Sequence, residues 1–350
     1  MSEIRNIKVS VIVPVFNVRP YIMECLDSIL NQTLQDIEII CGDGGSTDGT
    51  LEVLNEYASK DARIRIVSKG GSGYGQSVND CIKIARGQYI GLVESDDCIK
   101  PDMYEVLYTR AKKDDLDWVR GDIYFYYTSK RNKPVLRYEK ILASGNWYNE
   151  VLNPQTDVRP YQSRIRTWSG IYKRAFLTEN SIYHNETPGG SFQDIGFYLK
   201  TLYYATKVGF VPQGFYQWRQ DNPNASSHYN ADKLVDKCLN EWNLEKDYLN
   251  IHSEFTPWQR GFFNHRRFLS YMWAIDMASG EAKERVRKAA REEILSASKN
   301  REILKDFFSN KEWREFQIFV QYGKTANEYY YVWTKTKRLI KHSLWKAFIG

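Results

Sequence analysis

At 350 residues with 42% hydrophobic content, the chain is long enough for one large domain or two modest ones with a real core, which excludes an intrinsically disordered protein. The formal charge of +6 is a small difference between 49 basic and 43 acidic residues interspersed along the chain, so it marks a solvated surface and no nucleic-acid-binding tract. Five cysteines (Cys25, Cys41, Cys81, Cys98, Cys238) are widely spaced and never form a CxxC pair, which argues against a disulfide framework or a zinc site and fits a reducing cytoplasm.

The N-terminus MSEIRNIKV lacks the apolar core of a signal peptide, and no run approaches the roughly 18 apolar residues of a membrane span. Any membrane contact is therefore expected from the surface. Val9 to Val13 reads as a strand buried on both faces, ended by Pro14. Tyr21 to Asn31 has helical spacing, and Ile37 to Cys41 is a second strand. Thr47 or Asp48 caps a helix over Thr50 to Ser59, and a third strand covers Ile64 to Val67. A helix over Gly75 to Arg86 precedes a strand at Tyr89 to Val93. A helix at Asp102 to Lys113 and a strand at Trp118 to Tyr127 follow. This alternation predicts an α/β fold: an open, doubly wound, mostly parallel sheet flanked by helices, with its ligand beyond the C-terminal ends of the strands. Beyond Gly145 the pattern loosens, with short strands at Trp168 to Tyr172, Gly209 to Pro212 and Phe215 to Arg219 around a helix beginning near Asp194. After Asn230 the chain reads as helical and basic, and Glu281 to Ser298 has the composition of a solvent-exposed helix.

Five segments carry chemistry. In GLVESDDCIKPD three carboxylates, Glu94, Asp96 and Asp97, follow a buried strand; like charges so close call for a cation, and a neighbouring diphosphate favours Mg²⁺ or Mn²⁺. The same residues also suit a solvated turn before the next helix. CGDGGSTDGT sets Asp43 at the tip of the second strand among glycines, either as an acceptor for a base N–H or as an ordinary strand-to-helix turn. Pro14-Val15-Phe16-Asn17 breaks the first strand with backbone groups able to hold a flat base. KGGSGYGQSVN precedes a helix N-terminus as a phosphate or nucleoside loop would, although it matches neither the P-loop nor a dinucleotide fingerprint. PGGSFQD places Asp194 at a helix start, where a catalytic carboxylate and an N-cap look alike.

Taken in order, VSVIVPVFN, DGGSTDGT, GYGQSVN, ESDD and FQD resemble the family 2 glycosyltransferases of the GT-A fold, over Val9 to His228. The resemblance implies an inverting transferase for a UDP-sugar, working on a hydroxyl of a glycan or lipid-linked acceptor in bacterial surface-polysaccharide assembly. Asp43 would bind uracil, with Pro14, Val15 and Asn17 completing the base and ribose pocket. Gln76, Asn79, Glu94, Ser95 and Asp96 would line the nucleotide-sugar site. Asp96 would ligate the metal, Asp97 would assist, and His228 could approach the ion from a C-terminal loop or serve as an ordinary surface or core histidine. Asp194 would be the general base. The chain departs from the family pattern at Gly44, where a second aspartate is common, at Glu94, where Asp is common, and at Val78, where an Arg is common.

The resemblance divides the chain into a catalytic domain, 1–228, and a helical region, 229–350. Within the latter, 329–349 interleaves aromatics and lysines at helical spacing, a stripe suited to an anionic membrane surface on the inner face of the cell membrane, to the catalytic domain, or to a second subunit of a homo-oligomer. Two rival readings keep the fold and change the chemistry. A sugar nucleotidyltransferase should carry a basic triphosphate loop near the N-terminus, which VPVFNV is not, and a non-catalytic glycan-binding protein would not need both ESDD and Asp194.

Overall fold

The computed structural model describes residues 6–71, 73–129, 131, 133–143, 145–225 and 231–322, with backbone alone at 231–233 and 322. The chain forms two compact units, one of residues 1–127 and 136–223, the other of residues 128–135 and 224–350.

In chain order the first unit contains β1 (Val9–Val15), α1 (Ile22–Leu30), β2 (Ile37–Asp43), α2 (Thr50–Lys60), β3 (Ile64–Ser68), α3 (Tyr74–Ile84), β4 (Tyr89–Leu92), β5 (Cys98–Ile99) and α4 (Met103–Asp114). There follow β6 (Trp118–Thr128), β7 (Pro134–Glu139), β8 (Val151–Leu152), β9 (Gly170–Lys173), α5 (Arg174–Glu179), α6 (Gln193–Tyr204) and β10 (Val208–Arg219). The sheet runs β3-β2-β1-β4-β9-β6-β10-β5, with β7 beside β6 and β8 beside β10. The pairs β1–β2, β1–β4, β2–β3 and β6–β10 are parallel. Strand β9 is antiparallel to both β4 and β6, so β4, β6 and β10 point the same way as β1. The C-terminal ends of these strands share one edge, and each of the acidic motifs after β2 and β4 lies on it.

Two sequence expectations fail for stated reasons. Pro14 does not end β1: it pairs with Gly42. Ile12 accepts from Val93 on the β4 side while Val15 accepts from Gly44 on the β2 side, so Pro14 turns toward β4, whose pairing stops at Ile12 and Leu92. Its missing N–H removes no ladder bond. The segments around Gly209 and Phe215 are one strand, β10, with register shifts between Val211 and Tyr216; Pro212 sits in that irregular stretch, where no ladder donor is required.

In the second unit α7 (Ala231–Ile251), α8 (Pro257–Met277), α9 (Gly280–Lys299) and α10 (Asn310–Tyr322) pack on one another. Helix α9 is not wholly solvated, because Ala282, Val286, Ala290, Ile294 and Ala297 form a buried stripe at helical spacing. No helix among the described residues is long and apolar enough to cross a membrane. All five cysteines are free and buried.

Candidate active site

At the tip of β1, Asn17 adopts the left-handed conformation that Asn tolerates, with φ of 50°. Its amide N–H donates to Ser46 Oγ at 3.0 Å and its Oδ1 accepts from Thr47 N at 2.8 Å. The side chain expected on a ribose thus pins the turn after β2. Asp43 is 1% exposed, and its carboxylate accepts from Gly45 N at 3.2 Å, Ser46 N at 3.1 Å and Ser68 Oγ at 3.1 Å. It shapes the same turn from inside. Phe16, whose ring the sequence reading did not single out from its segment, stands 61% exposed.

The ESDD segment is held from behind by the end of β10. Tyr216 Oη donates to Asp97 Oδ2 at 2.8 Å and accepts from Glu94 N at 2.9 Å. Arg219 N donates to Asp97 Oδ1 at 2.6 Å, and its Nε donates to the Asp96 carbonyl at 2.7 Å. Asn222 Nδ2 donates to Asp96 Oδ2 at 2.7 Å. Asp97, 2% exposed, has each oxygen engaged by a protein donor, which fixes its position. Asp96 is half-buried, and its Oδ1 has no hydrogen-bond partner among the described residues. Ser95 is buried beside it. Burial pushes the Asp97 carboxyl well up, and the charge of Asp96 pushes it further.

Glu94 accepts from Tyr74 Oη at 2.7 Å. Burial pushes its carboxyl up to about 8 against that hydrogen bond, with Asp96 and Asp194 adding to the rise. Asp96 and Asp194 thus each lie within electrostatic reach of Glu94, although Asp194 is about a hundred residues further along the chain. Asp194 occupies the first turn of α6 after Phe192, whose φ is 71°. Burial raises its pKa, and the Arg166 guanidinium is the main charge opposing the rise. Asp43 lies two strands from Glu94 in the sheet, roughly 10 Å at the spacing of neighbouring strands.

This is a rim of carboxylates at the C-terminal edge of a parallel sheet. Residues 10–177 match the family described as Glycosyl transferase family 2. The glycosyltransferase EpsJ of Bacillus subtilis is 31% identical over 244 residues, covering 69% of this chain and 67% of its own. The glycosyltransferase GlyG of Streptococcus pneumoniae is 32% identical over 227 residues, 63% of this chain and 72% of its own. The chain belongs to glycosyl transferase family 2. Its fold is that of S. aureus TarS 1–349, solved with UDP-GlcNAc, which superposes with a TM-score of 0.54 at 19% identity over 91% of this chain and 93% of that one.

In this family 2 glycosyltransferase the glycines of the GYG motif make room for a neighbouring segment. A Cβ on Gly75 would lie 2.0 Å from the Asn185 carbonyl oxygen, and one on Gly73 would lie 2.8 Å from that of Thr187. The glycines admit the segment before Asp194, which is then tied down: Tyr74 N donates to Gly189 O at 3.0 Å. Asn79 donates to His184 O at 2.9 Å and Glu186 Oε1 at 3.0 Å and accepts from His184 N at 2.9 Å. Both Nδ2 hydrogens of Asn79 are thus engaged in that seam. Gln76 donates to Asp80 Oδ1 at 3.1 Å on the same helix. Tyr216, Arg219 and Asn222 were missed as site residues, since only their partners, 119 to 126 positions earlier, give them meaning. His228 and the stripe at 329–349 lie outside the described residues.

Among the described residues no three His, Cys, Asp or Glu side chains converge to hold a metal by themselves. Mg²⁺ and Mn²⁺ do not require such a cage beside a diphosphate, since one or two carboxylates with phosphate oxygens suffice. The unpartnered Oδ1 of Asp96 fits that donor set.

Proposed function

We propose that this chain is an inverting, metal-dependent glycosyltransferase moving a sugar from a UDP-sugar to a hydroxyl of a glycan or lipid-linked acceptor in surface-polysaccharide assembly. The observation that carries the reading is the convergence of Asp96, with an oxygen left over, and Asp194, in the first turn of α6, on the field of Glu94 at the sheet edge. EpsJ and GlyG are both named glycosyltransferases, and TarS holds UDP-GlcNAc on the same fold.

The base stacks on Phe16 and rests on the turn that Asp43 and Asn17 shape, beside Pro14 and Val15. Glu94, Ser95 and Asp96 follow the diphosphate and the sugar. Asp96 Oδ1 would hold the metal, and Asp97 keeps the segment in place. A divalent ion there would supply Lewis-acid stabilisation of the charge on the UDP leaving group. Asp194 takes the proton from the acceptor hydroxyl as its oxygen bonds to the anomeric carbon. The bond to the diphosphate breaks on the opposite face, its electron pair leaving on UDP, and the centre inverts in one displacement. Burial makes Asp194 a stronger base, while Arg166 favours its ionised form.

The test is UDP release from a panel of UDP-sugars with Mn²⁺ and candidate acceptors, with product anomer read by NMR. The Asp194→Asn protein is expected to lose about 10²-fold or more in turnover, the usual weight of a general base. Unchanged transfer by that variant removes Asp194 from the mechanism, and a retained anomer removes the single displacement.

A further inference from the structure

Tyr74, the first residue of α3, touches two parts of the site at once. Its Oη donates to Glu94 Oε1 at 2.7 Å, and its backbone N donates to the Gly189 carbonyl at 3.0 Å. The same carbonyl accepts from Nε2 of the buried Gln193 at 3.1 Å, and that Nε2 also donates to the Thr187 carbonyl at 3.2 Å. Gly189 and Phe192 have φ of 91° and 71°, a left-handed conformation that a phenylalanine keeps only where its surroundings enforce it. These bonds brace the loop that delivers Asp194. The Tyr74 ring is held as well. It meets His184 edge-on at 5.7 Å and 73°, and His184 stacks on Phe197 of α6 at 4.4 Å. Phe197 stands three residues after Asp194 and so on the same side of that helix.

What this anchorage fixes is the Glu94 carboxylate. A glutamate head group, on a longer stem than an aspartate, samples several positions unless a second group holds it. A phenol, protonated at neutral pH, supplies a short charge-assisted bond to one of its oxygens. Glu94 is half-buried, and its Oε2 has no hydrogen-bond partner among the described residues. An acceptor oxygen thus stands in a fixed place at the sheet edge, close enough to Asp96 to feel its charge. The seam itself does not require the Tyr74 hydroxyl, because the backbone bond to Gly189 and the contact with His184 persist without it.

Resting on the glycosyltransferase reading above, we propose that Tyr74 is a positioning residue for transfer: its hydroxyl sets the Glu94 carboxylate so that Oε2 accepts from a hydroxyl of the sugar carried by UDP, while its backbone and ring hold the loop and helix that bear Asp194. Sugar recognition and base placement then share one residue.

The full chain in Mn²⁺ is titrated calorimetrically with UDP and with UDP-glucose, UDP-galactose, UDP-GlcNAc and UDP-GalNAc, and the UDP-sugar that the wild type binds most tightly is carried to the variants. Tyr74→Phe, which keeps the ring and the backbone N–H, is expected to bind UDP within about twofold of the wild type and the UDP-sugar about tenfold or more weakly, the weight of one hydrogen bond to a charged group. In a Glu94→Ala background the same change should have no further effect on UDP-sugar affinity, since the group through which the hydroxyl acts is gone. Equal losses for UDP and UDP-sugar, no loss at all, or an undiminished loss in the Glu94→Ala background each overturn the proposal. A Tyr74→Phe protein that fails to fold overturns it too, because the hydroxyl is then part of the framework. If the wild-type chain takes up neither UDP nor any of the four UDP-sugars, the donor reading fails, and this role with it.

Discussion

Asn222 donates to one oxygen of Asp96 at 2.7 Å and thereby fixes which oxygen remains for an ion. A partner of this kind commonly contributes 10- to 100-fold in metal affinity. Asn222→Ala is expected to weaken Mn²⁺ binding in the presence of UDP by about that factor, read by electron paramagnetic resonance, and an unchanged affinity would show that Asp96 needs no such support. His184 supplies a second test. It is buried, stacked on Phe197 at 4.4 Å, and neither ring nitrogen has a hydrogen-bond partner among the described residues. Burial lowers its pKa from 6.5 to about 3. Between those values the unfolded chain binds the proton and the folded chain does not, so folding stability falls as pH drops from about 6.5 toward 3. Melting temperature should therefore fall less steeply with acid in His184→Phe than in the wild type over that window. Parallel curves would mean that the ring is protonated in the fold. Residue types alone did not show the structural partners of Asn79 and Asp97. His184 lies 105 positions from the first, and Arg219 lies 122 from the second, so local spacing could not distinguish a carboxylate awaiting a cation from one already satisfied.

At the scale of elements, α3 and the segment before α6 form one seam, and the seam ties Glu94, through Tyr74, to the loop that leads into Asp194. Gly75→Ala drives a methyl group into the Asn185 carbonyl and is expected to destabilise the protein by about 1–3 kcal/mol, with a larger loss of turnover than of UDP binding. Chemical denaturation and titration on one preparation check both. Wild-type stability in that variant would mean that the seam is loose. Strands β1 to β4 were legible because both faces of most are buried and their runs are uniformly apolar. Strand β7 was not, since Pro134 opens an exposed edge strand without an apolar alternation. The two-residue strands β5 and β8 carry too little sequence to show any period. Antiparallel β9 escaped notice as the strand joining the two parallel groups, because its partners β4 and β6 are chosen by the whole sheet and not by its own four residues.

At the scale of the molecule, parallel strands from widely separated parts of the chain end on one edge, and that convergence turns dispersed acidic residues into a site. Asp96 keeps one oxygen without a hydrogen-bond partner among the described residues, Asp97 is locked from behind by β10, and Asp194 arrives on α6 within reach of Glu94's field. Calorimetric titration of UDP into the wild type, Asp96→Ala and Asp194→Asn, each with Mn²⁺ and with chelator, tests this division of labour most directly. Binding that requires Mn²⁺, is lost in Asp96→Ala and is retained in Asp194→Asn is the expected result. UDP binding by Asp96→Ala that is undiminished and still Mn²⁺-dependent would contradict it.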